Sequence, residues 1–419
     1  MVGALVVFCL TYLVIASRQL HWIGLDRPAG AVVGAVAMVI VGGLPMDEAL
    51  HAIDLHVVIL LFGVLVIAAY LQEAQFFRYA AYLVLTRARS ARSLLFGITF
   101  IAGALSALLL NDTVCVVLTP LVVAVVVEAR LPAMPYLLAL ASGSNVGGVV
   151  SFSGNPQNMI VGAAAHDTIS FAQYLLLALP VGAVCLAGNA LVLAWLFRRQ
   201  LPVGPLVERK PPKPALDRVL TAKGLVALAL FAGLALAGVS LDGAAMCAAA
   251  GLMVVARVPP RKAFAVVDWQ LLVFFVGLFV VVAGVEHAGV LARVFDALAP
   301  TIARGDVAGD AVFVGFVVVA SNLVSNVPLV LVAVSWVPHM PDPTWGYIML
   351  AVGSTLAGNL TLFGSVANII VMEGAGPRGE IGFWRFLRHG VVITVVDLVL
   401  AFAVLAGERA LGVPRWLGL

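Results

Sequence analysis

Long apolar runs follow one another along nearly the whole chain, separated by short polar breaks. They cover residues 2–17, 29–43, 55–72, 94–128, 135–165, 171–197, 222–240, 243–256, 269–285, 307–337, 345–372 and 389–407. A helix of about 20 apolar residues crosses the hydrocarbon of a bilayer. Lipid offers no partner to backbone N–H and C=O groups, so such runs fold as helices. The pattern excludes a soluble α/β or all-β domain and predicts an all-α polytopic membrane protein. Composition agrees. The chain is 63% hydrophobic and 11% charged, where soluble domains carry about 25% charge. The 40 Gly and 21 Pro are compatible with membrane helices that pack closely or break around a site. The first run has no basic n-region and no clear cleavage site, so it reads as a transmembrane helix and not a signal peptide. The four cysteines (Cys9, Cys115, Cys185, Cys247) all lie in apolar runs and suggest neither a disulfide framework nor a metal site.

Charge placement orients these spans. One soluble-looking segment, "RRQLPVGPLVERKPPKPALDR" from Arg198 to Arg218, is rich in Pro and basic residues and divides the chain. If 94–128 and 307–337 each dip into the membrane as two short halves and return, the linker shares a side with 18–28, 73–93, 129–134, 257–268 and 373–388. That side, counting Lys223 at its lip, then holds 20 of the 24 Lys and Arg. The other side holds Arg293, Arg304, Arg409 and Arg415. Basic residues concentrate on cytoplasmic loops, which places the linker in the cytoplasm. Turning either hairpin into a single crossing would invert every later loop and spoil the bias.

The two halves also align. "IDLHVVILLFGVL" from Ile53 matches "VDWQLLVFFVGLF" from Val267 at an offset of 214, pairing Asp54 with Asp268 and Gly63 with Gly277. At that offset Asn111 and Asp112 fall on Ser325 and Asn326. "ASGSNVGGVVSFSGNPQNMIV" from Ala141 matches "AVGSTLAGNLTLFGSVANIIV" from Ala351 at an offset of 210. The expected organisation is a first repeat over 1–197, with hairpin 94–128 and broken helix 135–165. A cytoplasmic linker follows over 198–221. A second, inverted repeat occupies 222–419, with hairpin 307–337 and broken helix 345–372. Inverted repeats with interrupted helices build secondary transporters, whose site lies near the midplane where the breaks meet.

Four polar stretches should converge there. The first tip is Asn111, Asp112 and Thr113, and the second is Ser325 and Asn326, followed by Pro328. The first break carries Ser144, Asn145, Gly147, Gly148, Ser151, Ser153, Gly154, Asn155 and Asn158. The second carries Ser354, Thr355, Gly358, Asn359, Thr361, Gly364, Ser365 and Asn368. A helix that starts in mid-membrane offers free N–H groups to an anion. One that stops there offers carbonyls to Na⁺ or a proton carrier. Asn, Ser and Thr supply donors and acceptors without net charge. None of the four stretches contains Lys, Arg or His, so an anion would be held by dipoles and hydroxyls and not by a salt bridge. The expected substrate contacts are Asn111, Thr113, Ser144, Asn145, Asn155, Ser325, Asn326, Ser354, Thr355 and Ser365. The expected coupling-ion ligands are Asp112, Asn111, Asn326, Asn359 and the backbone around Gly148 and Gly358. An ionisable group at this depth is a functional candidate by default. Asp112 can carry a proton or hold a Na⁺, and the alternative is that it caps the half-helix that follows it.

With these motifs in view, the chain resembles the ion transporter superfamily over nearly its whole length. That superfamily includes arsenite/antimonite permeases, citrate and dicarboxylate/sulfate symporters, and a branch of bacterial anion permeases. "NDTVCVVLTP" from Asn111 is similar to the first tip of the arsenite permeases. "GNPQN" (Gly154 to Asn158), "SNVP" (Ser325 to Pro328) and "GSVANII" (Gly364 to Ile370) are similar to the anion permease branch. The dicarboxylate symporters carry Ser-Asn-Thr at both tips, and this chain departs from that at each. The carboxylate of Asp112 disfavours a multiply charged dicarboxylate and favours proton coupling. The resemblance implies a scaffold domain and an elevator-type moving transport domain, and in some members a homodimer. It also implies a bacterial inner-membrane setting in lipid, with no nucleic acid and no cofactor beyond a bound Na⁺.

The expected function is secondary active transport of a small anion or oxyacid, coupled to H⁺ or Na⁺. Arsenite or antimonite efflux is one version, and dicarboxylate or sulfate uptake is another. A passive channel, or the membrane subunit of a larger complex, is the alternative class. The chain carries no HExxH, GxSxG, Cys/His cluster or P-loop, so no enzyme is expected. Of the remaining polar residues, Asp54 and Asp268 should cap helix starts. Glu73 and the Glu286–His287 pair should snorkel at the interface. Cys115 should pack. Asp397, inside the last span, is either a second proton site or a partner for a neighbouring helix. "TRARSAR" from Thr86 should anchor topology, with anionic-lipid contact secondary.

Overall fold

The computed structural model describes residues 2–16, 26–204, 213–379 and 381–418, without the side chains of 85 and 290–294. Residues 205–212 of the expected linker lie outside this set. No strand occurs among the described residues, and eight of their helices are long and apolar enough to span a membrane.

The first half runs α1 (Val2–Ala16), α2 (Arg27–Ile40), α3 (Met46–His51), α4 (Leu55–Glu73), α5 (Phe76–Arg87), α6 (Ala91–Leu108), α7 (Asn111–Glu128), α8 (Ala133–Gly148), α9 (Pro156–Ala164) and α10 (Phe171–Leu196). The second half runs α11 (Arg218–Leu236), α12 (Leu241–Val255), α13 (Pro260–Phe264), α14 (Trp269–His287), α15 (Val290–Ile302), α16 (Val307–Val324), α17 (Asn326–Ala333), α18 (Pro343–Ala357), α19 (Val366–Gly374) and α20 (Phe383–Ala410). A short α21 (Val413–Trp416) closes the chain. The second half thus repeats the helix order of the first.

Local chemistry sets the boundaries. Asp54 Oδ1 accepts the N–H of His56 (2.9 Å) and Val57 (3.2 Å) at the start of α4. Asp268 Oδ1 does the same for Leu271 (3.0 Å) at the start of α14. Both therefore act as N-caps, as expected. Ser90 and Ser93 close a capping box that opens α6 inside the "TRARSAR" segment, satisfying two of that helix's orphan donors.

The halves interlock through glycine contacts. α4 packs on α12, and α14 packs on α2. A Cβ on Gly63 of α4 would sit 2.8 Å from the Ala245 carbonyl carbon, and one on Gly277 of α14 would sit 2.7 Å from that of Ala31. Ala245 and Ala31 are 214 residues apart, as Gly63 and Gly277 are. The two crossings are the same contact made twice, and each requires a residue without a side chain so that backbones can touch.

Two expectations need correction. The hairpins were expected as pairs of short halves, but α6, α7 and α16 are 18 residues each, and only α17, at 8 residues, is short. Polar residues mark the limb ends, Ser90 before α6, Glu128 at the end of α7 and Asp306 before α16, and each limb runs the full apolar length between them. The segments at 73–93 and 286–306 lie between the expected spans, yet they carry α5 and α15. α5 carries Arg78 and Arg87, and α15 carries Arg293 and Asp296, and these charges keep either run too short and too polar to read as a span.

Candidate functional site

Each tip is a turn so tight that its polar residues must enter the next helix at once. α6 ends at Leu108, and Asn111, Asp112 and Thr113 form the first turn of α7. The Asn111 N–H donates to Gly154 O in the first break (3.0 Å), so tip one touches the middle of the α8–α9 pair. Asn111 Oδ1 accepts the Asp112 N–H (2.9 Å). At tip two Ser325 joins α16 to α17 with φ 72° and ψ 159°. That backbone region is nearly confined to glycine and costs about 1–3 kcal/mol in other residues.

The breaks are held by a motif that occurs once per half. Asn158 Nδ2 donates to Gly148 O (2.9 Å) and Ser151 O (3.4 Å). Asn368 Nδ2 donates to Gly358 O (2.7 Å) and Thr361 O (2.9 Å). Each half-helix asparagine thereby satisfies carbonyls that its own broken helix leaves free. Each also accepts a hydrogen bond from the other half. Thr355 Oγ1 donates to Asn158 Oδ1 (3.1 Å), and Asn145 Nδ2 donates to Asn368 Oδ1 (3.2 Å). Thr355 and Asn145 are themselves 210 residues apart.

Asn145 is the hub. Its Oδ1 accepts from Asn111 Nδ2 (3.1 Å) and Ser365 Oγ (3.0 Å). Its Nδ2 also donates to Asn359 Oδ1 (2.9 Å). One side chain therefore ties together tip one, both breaks and α19.

A small recess, with a cavity volume of about 20 Å³, lies where these parts meet, lined by Asn111, Asp112, Gln157, Ser325, Asn326 and Ser365 among others, with Phe274 and Phe275 of α14 as an apolar wall. A larger recess of about 230 Å³, lined by Gln72, Asp112, Thr113 and Asp268, lies between the end of α4 and the start of α14. Asp112 borders both. It is buried, yet its carboxyl makes no hydrogen bond among the described residues; it does not cap α7. Asn326 Oδ1 is likewise buried without a partner. No Lys, Arg or His lines either recess.

The expected residues thus divide. Asn111, Asp112, Ser325, Asn326 and Ser365 line the smaller recess, and Thr113 lines the larger one. Asn145, Asn155, Thr355 and Asn359 form the amide network behind it, with Asn155 Nδ2 donating to Thr355 Oγ1 (3.1 Å). Gly148 and Gly358 offer their carbonyls to asparagines and not to the recess. Ser144 Oγ donates to Ala141 O (2.9 Å) and lies 3.0 Å from Cys115 Sγ, while Ser354 Oγ donates to Ala351 O (3.3 Å). Both are helix-backbone bonds away from the recess. Residue type alone passed over Gln157 and Asn322. Gln157 follows the N1 proline of α9, a position that faces whatever approaches a helix start. Asn322 Nδ2 donates to Ala357 O (3.0 Å) and its Oδ1 accepts from Thr361 Oγ1 (2.8 Å), binding α16 to the second break.

Comparison with known proteins bears on the class. A model of the citrate transporter family, CitMHS, matches residues 12–347. The silicon efflux transporter LSI3 of Oryza sativa subsp. japonica is 30% identical over 93% of this chain and 94% of its own length. The 46 kDa membrane protein of Mycobacterium leprae is 28% identical over 95% and 96%. A Dictyostelium discoideum protein that bears the name arsB is 26% identical over 90% and 86%. Among solved structures, the YdaH transporter of Alcanivorax borkumensis has the same fold, with a TM-score of 0.59 at 14% identity over 98% of this chain and 97% of that one. The chain belongs to the citrate transporter (CitMHS) family and is an integral membrane transporter.

Proposed function

We propose that this transporter exports a small uncharged oxyacid, of the silicic or arsenous acid kind, from the cytoplasm of a bacterium, coupled to proton movement through Asp112. The observation that carries this reading is the polarity of the smaller recess. Among the described residues, the Asp112 carboxyl and Asn326 Oδ1 are acceptors there without a hydrogen bond, and no Lys, Arg or His lines the recess, Arg27 acting on Asp112 from outside it. A ligand that presents hydroxyl donors satisfies both, whereas a polyanion presents only acceptors and meets a carboxyl. The silicon efflux named for the rice relative, and the likeness of "NDTVCVVLTP" to the arsenite permeases, point the same way.

The mechanism follows from the parts. The two halves are read as inverted repeats, with the linker and the end of α4 on the cytoplasmic side. The Asp217 N–H donates to Ala74 O (3.1 Å), joining the linker's end to the end of α4. In this orientation the larger recess, at Gln72 and Asp268, faces the cytoplasm and gives access to Asp112. An elevator-type movement of the tips and broken helices would then carry the smaller recess across. A second reading, uptake of a carboxylate or sulfate, is favoured by the helix starts at α7, α9, α17 and α19, which suit an anion.

Counterflow in proteoliposomes separates these. Silicic or arsenous acid should show saturable, trans-stimulated exchange that leads to accumulation under a pH gradient. Exchange of citrate or sulfate instead would refute the substrate class. Unsaturable flux without trans-stimulation would refute a carrier of any kind.

A further inference from the structure

Behind the site, a chain of side-chain amides runs in one direction to a second buried carboxyl. The Asp112 N–H donates to Asn111 Oδ1, Asn111 Nδ2 to Asn145 Oδ1, Asn145 Nδ2 to Asn359 Oδ1, and Asn359 Nδ2 to Asp397 Oδ2 (3.3 Å). The polarity is not arbitrary. Asn368 must present Nδ2 to two backbone carbonyls, which leaves its Oδ1 for Asn145 Nδ2. Asn145 Oδ1 therefore faces tip one, and the donors all point toward Asp397. A second amide, Asn189 Nδ2, donates to the same Oδ2 (3.4 Å), while its Oδ1 lies 3.0 Å from Ser142 Oγ, whose one proton is shared with Leu138 O (2.6 Å).

Asp397 is fully buried, and its other oxygen, Oδ1, has no partner. Thr394, three residues earlier and so on the same helix face, also keeps a buried hydroxyl without a partner. α20 packs on α10, α18 and α21. Among the described residues the titratable group meeting Asp397 from these elements and the second break is the Cys185 thiol, whose Sγ donates to Asp397 O (3.3 Å). No Lys, Arg, His, Asp or Glu faces it. A carboxylate this deep without a counter-cation is costly, and a proton on the orphaned oxygen removes that cost while leaving Oδ2 free to accept both amides.

We propose that Asp397 is a second proton-binding carboxyl of this transporter, linked to the substrate site by the Asn359–Asn145–Asn111 chain. The inference rests on the transporter reading for its role in coupling, but proton binding at Asp397 stands apart from the choice of substrate. When Asp397 is neutral, Asn359 makes an ordinary amide bond to it. When it is ionised, that bond becomes charge-assisted and about twice as strong. Each amide in the chain polarises the next, so the proton state of Asp397 sets how firmly tip one is latched to the broken helices.

The test uses the full-length protein in lipid. Infrared difference spectroscopy on a pH change, without substrate, should show a protonated-carboxyl band that is lost in Asp397→Asn and retained at a displaced frequency in Asp397→Glu. In proteoliposomes Asp397→Asn should keep substrate exchange and accumulate less substrate under the same pH gradient, with the proton-to-substrate ratio falling by one. If Asp397→Asn does not fold, Asn189→Leu, which removes one donor to Oδ2, should move the pH at which the wild-type band disappears. An unchanged band in Asp397→Asn, an unmoved one in Asn189→Leu, or a band that responds to Na⁺ at fixed pH would each overturn the proposal. Failure of the oxyacid reading would show separately, as absence of oxyacid exchange in the wild type.

Discussion

Replacing the hub asparagine provides a quantitative test of the network. Asn145 makes four side-chain hydrogen bonds, with Asn111, Ser365, Asn359 and Asn368. Thr355, its counterpart in the other half, makes two, with Asn155 and Asn158. Both residues are buried, so the severed partners gain no water. Interhelical hydrogen bonds in membrane proteins are worth about 0.6 kcal/mol on average and up to about 1.7 kcal/mol. Asn145→Ala should therefore cost about 2.5–7 kcal/mol, and Thr355→Val about 1–3.5 kcal/mol. The cavity left by the truncated asparagine adds to the first figure. Reversible unfolding in mixed detergent micelles, read by tryptophan fluorescence, measures both. Asn145→Ala should lose at least twice the stability lost by Thr355→Val. Equal losses, or a smaller loss for Asn145, would refute the view that one side chain joins tip one to both breaks.

Asp112→Asn should leave a folded protein that exchanges substrate but no longer accumulates it, and unchanged pH and Na⁺ dependence of transport would reject its coupling role. Ser325→Gly should relieve the backbone strain at tip two and raise stability by about 1 kcal/mol while weakening apparent substrate affinity; a neutral or negative change in stability argues against the strained turn. Gly63→Val and Gly277→Val should each force backbones apart and destabilise by about 1–3 kcal/mol or more, to similar extents, because the two crossings are equivalent; one tolerated and one not would break that equivalence. Single cysteines at Asp342 and at Lys210, the latter in the part of the linker outside the described residues, should label from opposite faces of the membrane, and labelling from one face would refute the proposed orientation.

Apolar run length, the offsets of 214 and 210, and the polar quartet at Asn111, Ser144, Ser325 and Ser354 were legible from the chain alone. Lipid imposes one-dimensional rules: a helix must be apolar and long enough, and polar residues at depth need a reason. Such rules act residue by residue and are written in order along the sequence. The caps of Asp54 and Asp268 were legible for the same reason, since a cap bonds only to the next turn. What a polar residue does once buried is not local. Asn111, Asn145 and Asn155 were all expected as substrate contacts, yet Asn111 lines the recess while Asn145 and Asn155 brace it. The two glycine carbonyls expected to hold an ion are instead satisfied by Asn158 and Asn368. Asp397 could be read as a helix partner or as a proton site until Asn189 and Asn359 were seen to converge on one of its oxygens and leave the other bare. Hydrogen-bond direction depends on atoms brought together from segments up to about two hundred residues apart, and only the packed tertiary structure decides which of them meet.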